Sequence, residues 1–364
     1  MEGSQTMISA ISSSSSSFPL IAILLVIPVL LVLKYNQKNW RNAPPGPVGW
    51  PILGFLPRIS SRLHHDFFEL AKEYGPLMSL KMGVKPAIVV SSPEMAYQVL
   101  KVLDNVVSSR TITEAVQIAA YDASSVAFSP YGPSWLVLRK IIMSELLSPT
   151  SLKSFESLRK QQVHGLLREL YKVSLLKGSI DIADSAFWAL ANQISTLVVS
   201  ECLFDSTEKG SQVKDKFVNV MATFGTPNIS DLIPVFKPFD PQGIRRKLVQ
   251  LFSGLDAFYD ELVDKRLAAK QMGTTTKNGK RDLLDVLLEY RSDKKEYGYE
   301  KLPRKVIKGM LGDMFMAGTV TSSSTIEWEK ALKDSSEIGV IALKKAISLV
   351  GTAKPRLADS LYHK

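Results

Sequence analysis

Residues 18–33 are an unbroken apolar run, and no charged side chain stands between Gly3 and Leu33. At 1.5 Å per residue the run makes a helix of roughly 24 Å, and the serines Ser12 to Ser17 ahead of it supply the turn still needed to reach a hydrocarbon core of about 30 Å. Behind it Lys34, Lys38, Arg41, Arg58 and Arg62 follow with no acid before Asp66. A cleaved signal peptide starts positive and ends on a small-x-small site. Here Glu2 leads and the positive charge comes after, which keeps that flank cytoplasmic. The pattern predicts an uncleaved single-pass signal anchor in 1–34, with the N-terminus in the lumen and the body in the cytosol. Pro44, Pro45, Pro47 and Pro51 then predict a basic, stiff hinge over 35–57.

Past the hinge the polar–apolar period changes three times. Residues 64–74 repeat at helical spacing and stop at Gly75-Pro76. Residues 77–82 and 87–90, joined by 83–86, predict a β-hairpin. Ser92-Pro93-Glu94 opens a helix with Ser as N-cap and Pro at the first position. Periodicity fades after Arg110 and returns at Trp135, behind the turn 130–134. Helical patterns then dominate over 135–147, 151–173, 181–202, 212–225, 243–271, 281–291 and 303–330. They are broken by a proline-containing loop over 226–243 and a polar, mobile loop over 273–280. The expected fold is mainly α with one small antiparallel sheet, preceded by one transmembrane helix.

Composition narrows the chemistry. The single cysteine, Cys202, permits neither an internal disulfide nor a thiolate zinc cage. The charge of +10 permits anionic partners, but no basic stripe or nucleic-acid motif accompanies it, so nucleic acid is not an expected partner.

Three stretches, in this order and at these intervals, resemble a plant microsomal cytochrome P450, the haem-thiolate monooxygenase family: the anchor with Pro44-Pro45-Gly46-Pro47, the segment 126–140, and the segment 312–328. The loop from Pro227-Asn228-Ile229-Ser230-Asp231 to Asp240-Pro241-Gln242-Gly243 is similar to the subgroup that oxidises monoterpenols and some alkaloids. The resemblance covers about 18–328. It implies a partial cytochrome P450 fold in 58–328 and a place on the cytosolic face of the endoplasmic reticulum membrane. It also implies haem as cofactor and NADPH electrons delivered through a membrane-bound flavoprotein reductase. The reaction implied is O2-dependent hydroxylation of a small lipophilic metabolite such as a terpenoid or alkaloid.

The same resemblance assigns residues. Trp135 and Arg139, one turn apart on one helix face, correspond to the pair that binds a haem propionate; a guanidinium grips a carboxylate bidentately and an indole N–H is a donor. Read from spacing alone, they are a core anchor and a surface charge. Ala317 and Gly318 line haem, with Gly318 leaving room for oxygen, and Thr321 supplies the hydroxyl for oxygen activation. The substrate pocket draws on 111–128, 224–239 and 314–317. Val320 departs from the family, which carries an acid there, so proton delivery is expected to suffer.

After Trp328 the likeness ends. The tail 329–364 is divergent, with no E-x-x-R and no cysteine loop. Glu156-Ser157-Leu158-Arg159 has the first spelling but sits in an earlier helix as a surface pair. Cys202 has no basic or glycine-rich setting to stabilise a thiolate and reads as a buried, inert cysteine, and His64 and His65 read as an exposed helix face. No metal ligand is therefore assigned, because the axial cysteine is absent. The expectation is a C-terminally truncated family member, inactive alone, with the apolar face Met310, Leu311, Met314 and Phe315 left exposed. The alternative is a non-catalytic, membrane-anchored interaction protein derived from such a gene.

Overall fold

The computed structural model describes residues 42–60, 62–176, 179–204, 208–273, 281–292 and 299–330, with three two-residue strands beyond them. The apolar run 18–33, residues 274–280 of the polar loop and most of the tail lie outside the described residues. Among the described residues no helix is long and apolar enough to cross a membrane. The chain divides into two units, Met1–Tyr97 and Gln98–Lys364.

In the first unit α1 (Leu63–Tyr74) precedes the hairpin of β1 (Leu77–Met82) and β2 (Lys85–Val90), and α2 (Pro93–Tyr97) follows. Pairing runs from Leu77↔Val90 to Met82↔Lys85, so the loop is two residues, Gly83-Val84, rather than the four expected. Gly83 at φ 62° is the reason: a two-residue hairpin loop with positive φ at its first position needs glycine there. The proline segment is more than a spacer. The Ser79 N–H donates to the Pro45 carbonyl at 2.9 Å and the Phe55 N–H to the Lys81 carbonyl at 2.6 Å, which fasten it along β1.

The second unit is helical. Its elements are α3 (Asp104–Val107), α4 (Glu114–Ala119), α5 (Pro133–Glu145), α6 (Pro149–Ser154), α7 (Glu156–Leu175), β3 (Ile180–Asp181), α8 (Ile182–Val199), α9 (Glu208–Phe224), α10 (Ile229–Leu232), α11 (Ile244–Gln271), α12 (Leu283–Glu289) and α13 (Arg304–Lys330). Within the tail, β4 (Glu337–Ile338) pairs with β5 (Lys344–Lys345), and β6 (Val350–Gly351) pairs antiparallel with β3. Caps set the boundaries. Pro133 opens α5, Asp181 accepts the Asp184 N–H at the start of α8, and Asp282 with Asp285 forms a capping box on α12. The helix expected over 151–173 is two helices, parted at Phe155. α4 and α10 are too short for a helical period to register.

One continuous core joins α5, α8, α11 and α13. Leu138, Ala191, Leu255, Tyr259, Met310, Leu311 and Phe315 are essentially water-free. Phe315 lies 5.7 Å from Phe204, 6.0 Å from Phe258 and 6.4 Å from Tyr259 between ring centroids. The expected exposed face is therefore corrected: Met310, Leu311 and Phe315 are buried and Met314 is half-buried. Helices α8, α9 and α11 of the same chain already cover that side. What α13 leaves open is the face carrying Ala317, Thr321 and Thr325.

Candidate active site

The site is built on α13 and the strained segment that crosses it. Tyr121, Asp122 and Ala123 have φ of 50°, 57° and 59°, one left-handed turn closed by the Ser124 N–H donating to the Ala120 carbonyl at 2.9 Å. Left-handed backbone costs about 1–2 kcal/mol per non-glycine residue, so neighbours must hold the turn. The Tyr121 hydroxyl donates to Asp256 at 2.6 Å, and its ring lies 5.2 Å from the Lys308 ammonium. Lys308 in turn bridges Asp256 at 2.6 Å and Asp260 at 2.8 Å. Burial opposes the Lys308 charge, but the two carboxylates outweigh it and hold its pKa above the ordinary lysine value.

Just after the turn the chain meets α13 at two positions four residues apart. At Gly309 a Cβ would stand 2.8 Å from the Ser124 carbonyl oxygen, so only glycine lets the backbone approach this closely. At Asp313, 8% exposed, the carboxylate accepts the Ser125 hydroxyl at 3.0 Å and the Ala127 N–H at 2.8 Å. Burial pushes the Asp313 carboxyl up to about 6, against the pull of the Ala127 N–H, the Ser125 hydroxyl, the Val126 N–H and the more distant Arg110. The sequence reading missed Asp313 and Gly309. Their i, i+4 spacing is a signal only once the strand of backbone they receive is known.

Trp135 and Arg139 sit on one face of α5, as their spacing predicts. The guanidinium carbon is 5.0 Å from the indole centroid. The indole N–H is not free: it donates to the Val126 carbonyl at 3.0 Å. Arg139 is exposed, and no ion pair engages it among the described residues.

On α13, Ala317 and Thr321 face the open side, and the Thr321 hydroxyl donates to the Ala317 carbonyl at 2.5 Å. Thr325 repeats the bond one turn on, to Thr321. Gly318 points elsewhere: a Cβ there would meet Ile194 Cδ1 of α8 at 2.7 Å. In this structure its missing side chain serves helix packing. Val320 is half-buried against the core.

The expected pocket segments 111–128 and 224–239 do meet. The rings of Phe128 and Phe224 stack at 5.5 Å. The Asn228 amide donates to Glu114 at 2.8 Å, and the Glu114 N–H donates to Asp231 at 2.9 Å.

The expectation of a buried Cys202 is corrected: it follows the end of α8, where the chain is at the surface, and is exposed, its sulfur 3.6 Å from the Thr196 hydroxyl and 3.9 Å from the Gln162 amide. Neither neighbour is a cation. Glu156 pairs with Lys160 at 2.7 Å as an exposed ion pair, not with Arg159. The residues present thus suit the carboxylate edge of a haem, through Arg139, which no ion pair engages among the described residues, and its apolar face, through Ala317; neither is a ligand for its iron.

The sequence matches the family description "Cytochrome P450" over residues 44–329. Helix order, the small hairpin and that match together define the class: this chain belongs to the cytochrome P450 family. Among curated relatives it is 33% identical to ferruginol synthase of Salvia fruticosa over 85% of this chain and 62% of that protein. It is 33% identical to flavonoid 3',5'-hydroxylase of Solanum melongena over 84% and 59%. The same identity holds for geraniol 8-hydroxylase of Catharanthus roseus, over 85% and 61%. The chain therefore spans less than two thirds of these relatives. A zebra fish cytochrome P450 solved with progesterone shares the fold at a TM-score of 0.58 and 22% identity, covering 73% of this chain and 58% of that one.

Proposed function

We propose that these residues form the oxygen- and substrate-side half of a plant monooxygenase that hydroxylates a small lipophilic metabolite of terpenoid or alkaloid type. The observation that carries the reading is the open Ala317–Thr321 face of α13, on the same helix whose Asp313 grips the segment leading to Trp135. The similarity to proteins named for ferruginol and geraniol chemistry supports a terpenoid-like substrate. Haem, when bound, supplies the oxygen chemistry, and NADPH electrons reach it through a reductase. Arg139 would hold a propionate, with Trp135 beside it, and Thr321 would hold a proton at its hydroxyl. The 364 residues alone do not catalyse, since their one cysteine is unsuited to the iron. Residues 18–33 would tether the body to the endoplasmic reticulum membrane.

The test is a haemin titration of the full chain, followed by reduction under carbon monoxide. Weak binding, weakened further several-fold by Arg139→Ala, and a spectrum without the red-shifted thiolate band are expected. A thiolate band lost on Cys202→Ser would overturn the reading, as would haemin affinity indifferent to Arg139.

A further inference from the structure

We propose that Asp313 is a positioning residue for the Trp135–Arg139 pair, acting through the backbone of residues 125–127. The inference rests on the reading of that pair as the propionate end of the site. The path is short and every link is a direct contact. The Asp313 carboxylate accepts the Ser125 hydroxyl and the Ala127 N–H. Between those two donors lies Val126. The carbonyl of Val126 takes the indole N–H of Trp135, and Arg139 lies over that indole. Fixing the donors on either side of Val126 to one carboxylate fixes the direction of the Val126 peptide, and with it the acceptor that sets the indole plane.

The left-handed turn immediately upstream makes the clamp necessary. A segment that begins in strained backbone gains by leaving α13 unless something retains it. Gly309 only permits close approach; Asp313 provides the attraction. A charged carboxylate is the stronger acceptor for these two donors, so protonation weakens the clamp. The groups that act on Asp313 are few. Arg110, ahead of α4, favours its charge. Tyr259 of α11 is wholly buried, its hydroxyl has no hydrogen-bond partner among the described residues, and burial together with Asp313 and Asp256 keeps it a neutral phenol. Asp256 is itself paired with Lys308.

The experiment uses the full chain in detergent, with 15N in its indoles and no haem. Trp135→Phe identifies the Trp135 Nε1–H resonance among the five tryptophans. That resonance should hold one position above pH 7 and move to another with a midpoint near pH 6. In Asp313→Asn it should sit at the low-pH position throughout. In Ser125→Ala the midpoint should rise by a few tenths of a pH unit or more, because the lost hydroxyl favoured the charged form. Should Asp313→Asn not fold, judged by dispersion of the other indole signals, the Ser125→Ala shift decides alone. A Trp135 signal flat with pH, or a transition unchanged by Ser125→Ala, overturns the proposal. Haemin affinity indifferent to Arg139, with the titration intact, would overturn the propionate reading and leave the clamp standing.

Discussion

The two halves of α13 do opposite things: the first, 304–315, carries no serine or threonine, and the second, 316–330, carries six. Its first half, through Phe315, is enclosed by α8, α9 and α11 and tied by Arg304 and Lys308 to three aspartates of α11. Its second half turns Ala317, Thr321 and Thr325 outward, with hydroxyls that bond only the helix's own carbonyls. The first half therefore holds the fold, and the second carries the residues that chemistry would use. Asp313 stands near the junction, buried like the first half but gripping a segment that serves the site.

The largest effect that would test this division is Phe315→Ala. It removes a ring in contact with Phe204, Phe217, Phe258 and Tyr259, and should cost about 3–5 kcal/mol in urea unfolding. A cost under about 1 kcal/mol would mean that the first half is not the anchor.

The junction is next. The Asp313 pKa is raised on folding, so the folded state binds this proton more tightly than the unfolded chain. Its contribution is fully present below the ordinary aspartate value near 4 and is lost as pH rises through about 6. At roughly 1.4 kcal/mol per pH unit the loss is on the order of 2–3 kcal/mol. Unfolding free energies measured from pH 4 to 7 should lose that component of their slope in Asp313→Asn; equal slopes would refute the shift.

The two glycines sharpen the contrast. Gly309→Ala drives a Cβ against the Ser124 backbone, and should destabilise by about 1–3 kcal/mol. Gly318→Ala meets only the tip of Ile194, a side chain that can rotate, and gains helix propensity of up to about 1 kcal/mol. Thermal melts should therefore separate them clearly. The smallest effect belongs to the open face: Thr321→Ala should change stability by no more than about 0.5 kcal/mol, and a larger loss would mean that this face is structural.

The period of apolar residues gave α5, α7, α8, α9, α11, α12 and α13 to within a few residues, because each long enough amphipathic segment must bury one stripe. Trp135 and Arg139 were legible for the same reason: i and i+4 share a face in any helix. The short α4 and α10 left no period to read. Tyr121 to Ala123 carry no glycine to announce a left-handed turn; Asp256, Lys308 and the docking on α13 impose it from far along the chain. Gly318 lies close to Ile194, a packing contact that no local pattern contains. Asp313 spells nothing by itself. Its meaning comes from two donors nearly two hundred residues away in sequence, brought to it by the packing of α13 beneath the segment they occupy. The sequence by itself determined the helices and the family; the long-range contacts decided which faces were closed, which backbone was strained and which acid was buried, since burial and hydrogen bonding depend on neighbours that the local pattern does not contain.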